Sequence, residues 1–251
     1  MRLVRAEVLK LVRRRGLMIW SLLLTLGSVL VAEIVLVVLH AVNGSRHGPA
    51  GGVENFKGVI LLMTGLGTVA AIIIGATAGT QDVSNGVFRD LVVTGRKRST
   101  LFQVRAPGAL IVFLPMLALG FAVTTFMTYA FAGSLPTPSG STVAKYAEYA
   151  IADSIVNMVI AVGLAALASS RVVVGVLIAW NAIVSHLLIS IRVLGGTRKA
   201  IDVAAAQHFL PAGARDNNAL VMSTGTALLV LLIWVGVFSW AGRWWTNRVD
   251  A

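Results

Sequence analysis

Six apolar runs of more than twenty residues each occupy 17–40, 58–79, 106–132, 147–169, 172–194 and 219–242. Each is long enough to cross a ~30 Å hydrocarbon core as a helix rising ~1.5 Å per residue. In lipid, every backbone group must bond inside its own helix or a closed barrel. A chain built from six such runs is therefore expected to be an all-α polytopic membrane protein, one transmembrane domain over 1–251. Only 12% of its residues are charged, about half of the ~25% usual in soluble domains, which leaves too little polar surface to coat a water-soluble globule. Gly65, Gly67, Gly75, Pro107 and Pro115 fall inside the runs, as membrane helices tolerate. The first run is too long for a signal-peptide core and has no clear small-residue cleavage site, so it is expected to remain as a span.

The net charge of +11 would suggest nucleic acid in a soluble protein. Here the basic residues flank apolar runs, so they read as orientation signals and contacts to anionic lipid, with no nucleic-acid partner expected. With the N-terminus inside, Arg2, Arg5, Lys10, Arg13, Arg14, Arg15, Arg89, Arg96, Lys97, Arg98, Arg105, Arg171, Arg243 and Arg248 are inside, 14 of the 21 Lys and Arg residues. Arg46, Lys57, Lys145, Arg192, Arg198, Lys199 and Arg215 are outside. That two-to-one bias predicts a multi-pass protein of the bacterial cell membrane with both termini cytoplasmic. There is no Cys, which excludes disulfides, thiolate metal sites and a Cys nucleophile. Trp240, Trp244 and Trp245 read as an interfacial belt at the inner end of the last span.

Two inner segments stand out. Within 1–15, Met1, Val4, Val8, Leu11 and Val12 recur at helical spacing, with Arg2, Lys10 and Arg13 away from them. This pattern fits an amphipathic helix lying in the membrane interface, or else a plain basic flank. The longest inner loop, 80–105, places Val87, Phe88 and Leu91 on one helical face. Gly95 is placed to end that helix, and Ser99 or Thr100 to cap the next. A short helix joining two spans can pass an external push to both; the alternative is an ordinary basic loop.

This inner loop resembles the signature of ABC-2 type transporter permeases. In that family the second span ends in an acidic residue, followed by Gly, Arg and Leu, then Thr or Ser, Gly and basic residues. Asp82, Gly86, Arg89, Leu91, Thr94, Gly95 and Arg96-Lys97-Arg98 match in order. Residues 1–10 look like the family's N-terminal interfacial helix. Phe209-Leu210-Pro211 sits where the family has an outer loop, here 195–218, often built as re-entrant helices. The ending Arg248-Val249-Asp250 is similar to a terminal Arg-Asp pattern but is interrupted by Val249. The resemblance implies a permease subunit of an exporter moving a drug, natural product or lipid-like compound. It implies two copies of a separate ATPase subunit, a second permease that is identical or homologous, and a cytoplasmic coupling helix in which Asp82, Gly86, Val87, Phe88, Arg89, Leu91 and Arg96 meet the ATPase. The chain has no G-x-x-x-x-G-K-[ST] run and no soluble stretch long enough for a nucleotide-binding domain. It is thus expected to bind no cofactor itself, with ATP and Mg in the partner, and not to be an enzyme.

Ionisable and polar residues inside the spans are the remaining candidates: Glu33, Asp153, Asn157, Asn181, Ser185, His186 and Arg192. Such residues usually face the bundle interior or a partner. Counted from the tight turn at Arg171, Asp153 and Arg192 lie at similar depth near the outer interface. Two readings stay open, a structural ion pair or a determinant of substrate polarity. The amides and hydroxyls serve equally as interhelical contacts or as a translocation path. A secondary transporter with a proton path through Glu33, Asp153 and His186 is the alternative function. Charges near the outer edge rather than the midplane, and the lack of two similar halves, count against it.

Overall fold

The computed structural model describes residues 2–170, 172–211, 214–215 and 219–248. Among them there are helices and no strand. Met1, Arg171 and residues 249–251, on which parts of the expectations above fall, lie outside the described residues. The N-terminal helix α1 is Arg2–Val12. Six helical segments are long and apolar enough to cross a membrane. The first, Arg15–Val42, comprises α2 (Arg15–Leu22), a π turn at Leu23–Gly27 and α3 (Ser28–Val42). The second is α4 (Val53–Ser84). A short α5 (Phe88–Val93) leads to the third, Arg98–Ala130, made of α6 (Arg98–Gln103) and α7 (Arg105–Ala130). The fourth is α8 (Gly140–Ala168). The fifth, Val172–Ser190, holds α9 (Val172–Ala179), a π turn at Trp180–Val184 and α10 (Ser185–Ser190). After a 3-10 segment at Arg192–Ala200 and α11 (Asp202–His208), α12 (Thr224–Arg248) is the sixth.

Several helices outrun their apolar runs, because backbone bonding does not stop where side chains turn polar. α4 starts five residues early, where the Asn55 amide donates to the carbonyls of Pro49, Ala50 and Gly51 at 2.9–3.1 Å. It also continues through Asp82, which the sequence reading had placed in a loop. α8 starts at Gly140 rather than 147, since Ser139 Oγ accepts the Thr142 N–H and so caps it. The fifth span stops at Ser190, four residues short of the expected end.

α4 and α8 form the centre. In them 67% and 56% of the most apolar window is buried, against 17–28% for the other four spans. Glycines permit this contact. A Cβ on Gly79 would lie 2.6 Å from the Val162 carbonyl oxygen, and one on Gly75 2.7 Å from that of Met158, so a side chain at either place would push the helices apart. Around this pair, α3 and α12 present Val31, Ile34, Val35, Leu229, Leu232 and Ile233 outward, all exposed. Hydrocarbon supplies the contacts these side chains would lack in water.

Candidate functional site

A cavity of about 430 Å³ lies between α4, α8, the fifth span and α11 and is lined by several polar side chains. Its far wall exists because the loop after the fifth span turns back into the bundle. The Trp180 indole N–H donates to Asp202 Oδ1 at 2.9 Å, and the Trp234 N–H donates to the Ala200 carbonyl at 2.9 Å. Trp180 lies ten residues, about 15 Å, below the end of its span at Ser190. The nine 3-10 residues Arg192–Ala200 can cover at most about 18 Å, enough for that descent. Ile201, Ala204 and Ala205 then pack against Ile189, Ala227 and Leu231. The segment expected as a loop thus forms a short helix, α11, packed against the fifth and sixth spans.

Four of the residues singled out in the sequence meet at this cavity: Asp153, Asn157, Asn181 and His186. Asp153 Oδ2 accepts the Thr68 hydroxyl at 2.5 Å, and Oδ1 accepts the Asn157 amide at 3.2 Å. The Asn181 amide donates to its own helix at the Leu177 carbonyl, 3.0 Å away. Asn181 lies in the π turn, a wide turn common at functional sites. Ser185 is buried nearby and donates to the Asn181 carbonyl at 3.3 Å without lining the cavity. Glu33 is buried on α3, away from it, with no hydrogen bond or ion pair among the described residues.

The proposed pairing of Asp153 with Arg192 is corrected. Among the described residues the ion pairs are those of Lys10, Lys57 and Arg105, and Arg192 is exposed at the start of the 3-10 segment. The depth argument failed because the fifth span ends at Ser190, which leaves Arg192 outside the helix on which its depth was counted. With α8 beginning at Gly140, Asp153 sits thirteen residues, about 20 Å, from that end, near the midpoint of the helix. Sequence reading also missed Thr68, Tyr149, Asp202 and Gln207 on the cavity wall. Asp202 carried a usable signal: it opens an apolar Val203-Ala204-Ala205-Ala206 stretch, as an acid in the first turn of a buried helix does.

At the N-terminal end of the bundle, α1 is tied to α4 and α7 by charge. Lys10, expected to point away from the packed face, donates to Asp82 at 2.7 Å and pairs with Glu7 at 2.5 Å. Val12 is instead the residue left exposed. Arg105 is fully buried; its Nη1 donates to the Gly79 carbonyl at 2.9 Å and its Nη2 lies 3.5 Å from Asp82 Oδ2. Gly108 leaves room for Glu7, whose Cβ would be 2.7 Å from a Cβ added there. Burial holds the Glu7 carboxyl above its ordinary 4.5, with Lys10 pulling the other way and losing. A carboxyl raised in the fold stabilises it fully below the unfolded value and loses that contribution as pH rises through the folded one. Glu7→Gln is therefore expected to melt at or above wild type at pH 8, with the difference vanishing near pH 4; thermal unfolding in detergent across that range reads it.

The segment between α4 and α6 departs from expectation in its details. Gly86 at φ +70 turns the chain after α4, and Gly95 at φ +82 ends α5 as anticipated. The cap of α6 is Lys97 with no side-chain bond, so Ser99 and Thr100 lie inside its first turn. Phe88 is 3% exposed and is not available to a partner, which corrects its place on the docking face. Val87 and Val93 are the exposed apolar residues here, with Leu91 half-buried. Arg89, Asp90, Arg96 and Lys97 surround them on the surface.

No protein-family model and no curated protein matches this sequence. The functional reading rests on the residues themselves.

Proposed function

We propose that the chain is the permease subunit of an ATP-driven transporter, similar to ABC-2 type exporters, with hydrolysis supplied by a separate ATPase. One observation carries the reading: a single helix, α4, joins the surface segment to the cavity. Its Gly65, Leu66, Thr68, Val69 and Ile72 line the cavity. Asp82, about 21 Å further along, is bonded to Lys10 of α1 and paired with Arg105 of α7. A push on α5 therefore moves a braced end, and α4 passes it to the cavity as a rigid lever. In this reading α1 lies in the inner interface, α5 is the coupling helix, both termini are cytoplasmic, and two permeases assemble with two ATPases. The test substitutes Val93, which is 78% exposed, so that folding is spared. Val93→Asp is expected to reduce co-purification of the proposed ATPase subunit at least about tenfold, as a charge in an apolar contact does. An unchanged yield of the complex and unchanged ATP-dependent transport would remove the reading.

The ion-coupled alternative gains from one observation. Thr68 and Asp153 lie near the midpoints of their helices, which is where coupling sites of secondary transporters sit. Its original path does not hold together, since Glu33 is not on the cavity. Proteoliposomes separate the two readings: one requires ATP and the ATPase, the other only an ion gradient.

A further inference from the structure

Two carboxylates converge on the cavity from independent elements, Asp153 of α8 and Asp202 of α11. Asp153 is half-buried at the cavity wall and Asp202 is buried, and their side-chain donors are neutral: Thr68 and Asn157 for the first, the Trp180 indole for the second. Among the described residues no Lys or Arg lines the cavity, and His186 is the one lining side chain able to take up a positive charge. Carboxylates enclosed in an apolar bundle are costly unless paired, and among the described residues neither of these has an ion-pair partner.

We infer that the missing positive charge belongs to the ligand, and that the cavity binds an amphipathic organic cation such as a hydrophobic amine or quaternary ammonium. Its charge sits between Asp153 and Asp202, and its apolar body lies against Leu66, Val69, Ile72 and Val156. A metal ion fits poorly, because among the described residues no three His, Asp or Glu side chains come close enough to chelate one. The volume, about 430 Å³, suits a small organic molecule, for which pockets run from about 300 to 1,000 Å³. Asn181, Gln207 and His186 add polar groups around the rim for orientation. The inference names the substrate class for the transport reading above and rests on it, but binding can be measured without the ATPase.

The probe is ethidium, a permanent cation that brightens on leaving water. The full chain is purified into phosphatidylcholine nanodiscs with no partner subunit. Saturable binding is expected, weakened at least about tenfold by Asp153→Asn and by Asp202→Asn, as for loss of one partner in a buried charge pair. Uncharged 6-phenylphenanthridine should compete at least about tenfold less well than the cation, since it keeps the shape and lacks the charge. That arm uses the wild-type chain, so it stands even if a variant misfolds. Equal competition by the neutral compound would overturn the inference, as would unsaturable binding or unaltered affinity in both folded variants. So would proton uptake that depends on Asp153 with no ethidium binding, which would favour the ion-coupled reading. Loss of ATPase co-purification bears only on the permease reading and leaves this result intact.

Discussion

Replacing Arg105 with Met is expected to destabilise the fold by about 3–5 kcal/mol, the usual cost of removing one partner from a buried ion network. Arg105 contributes in two ways. It satisfies the Gly79 carbonyl, at a point where α4 has a glycine so that α8 can approach. It also faces Asp82, whose side chain is only 6% exposed. Met keeps the length and loses both. Lys10 still reaches Asp82, so the carboxylate is not wholly abandoned, yet Lys10 already shares its charge with Glu7. The measurement is the monodisperse fraction on size exclusion after heating. Adding Asp82→Asn to Arg105→Met should recover part of the loss, because the uncompensated charge is then gone. Strictly additive losses would mean that the two residues do not interact.

Trp180→Leu is expected to loosen α11 while leaving the six spans in place. The substitution removes the hydrogen bond to Asp202 and leaves a buried carboxylate with one fewer donor. It also removes the tilted ring contact with Trp234, at 5.5 Å between ring centroids. A hydrogen bond to a charged group contributes about 1.5–3 kcal/mol, and aromatic pairs add about 0.5–1.5 kcal/mol. The opening of α11 should therefore rise at least about tenfold, the equivalent of 1.4 kcal/mol. The chain has no Cys, so a single Cys at Ala205, fully buried, reports on this cleanly. Its maleimide labelling should accelerate by that factor in the Trp180→Leu background. An unchanged labelling rate would show that α11 is held by its apolar contacts with Ile189, Ala227 and Leu231 alone.

The six spans were legible in the sequence because length and apolarity are properties of a local stretch. Their ends were less so. Asn55 and Ser139 extend α4 and α8 beyond the apolar runs, and the extra turns of α8 put Asp153 at the middle of its helix rather than near an end. The fifth span stops at Ser190, so Arg192, counted as part of it in the sequence, leaves the helix and with it the expected pairing. The cavity was half legible: Asp153, Asn157, Asn181 and His186 stood out as polar residues inside apolar runs. Asp202 and Gln207 did not, because they lie in a stretch that reads as an ordinary outer loop until its packing is known.

Phe88 and Arg105 failed in opposite directions. Phe88 was expected on a surface for a partner and is buried in its own chain; Arg105 was expected as a basic loop residue and is fully enclosed. Charge and hydrophobicity specify what a side chain prefers, and rotation about the helix axis specifies what it gets. By itself the sequence determined that this is an all-α chain with six helices able to span a membrane, joined by polar loops and one basic segment between the second and third. Only the tertiary structure decided that Lys10 meets Asp82, Thr68 meets Asp153 and Trp180 meets Asp202. These contacts link residues 72, 85 and 22 positions apart. Their existence depends on how far each helix runs, how it is rotated and how deeply α11 returns into the bundle, and none of these is a property of any local window.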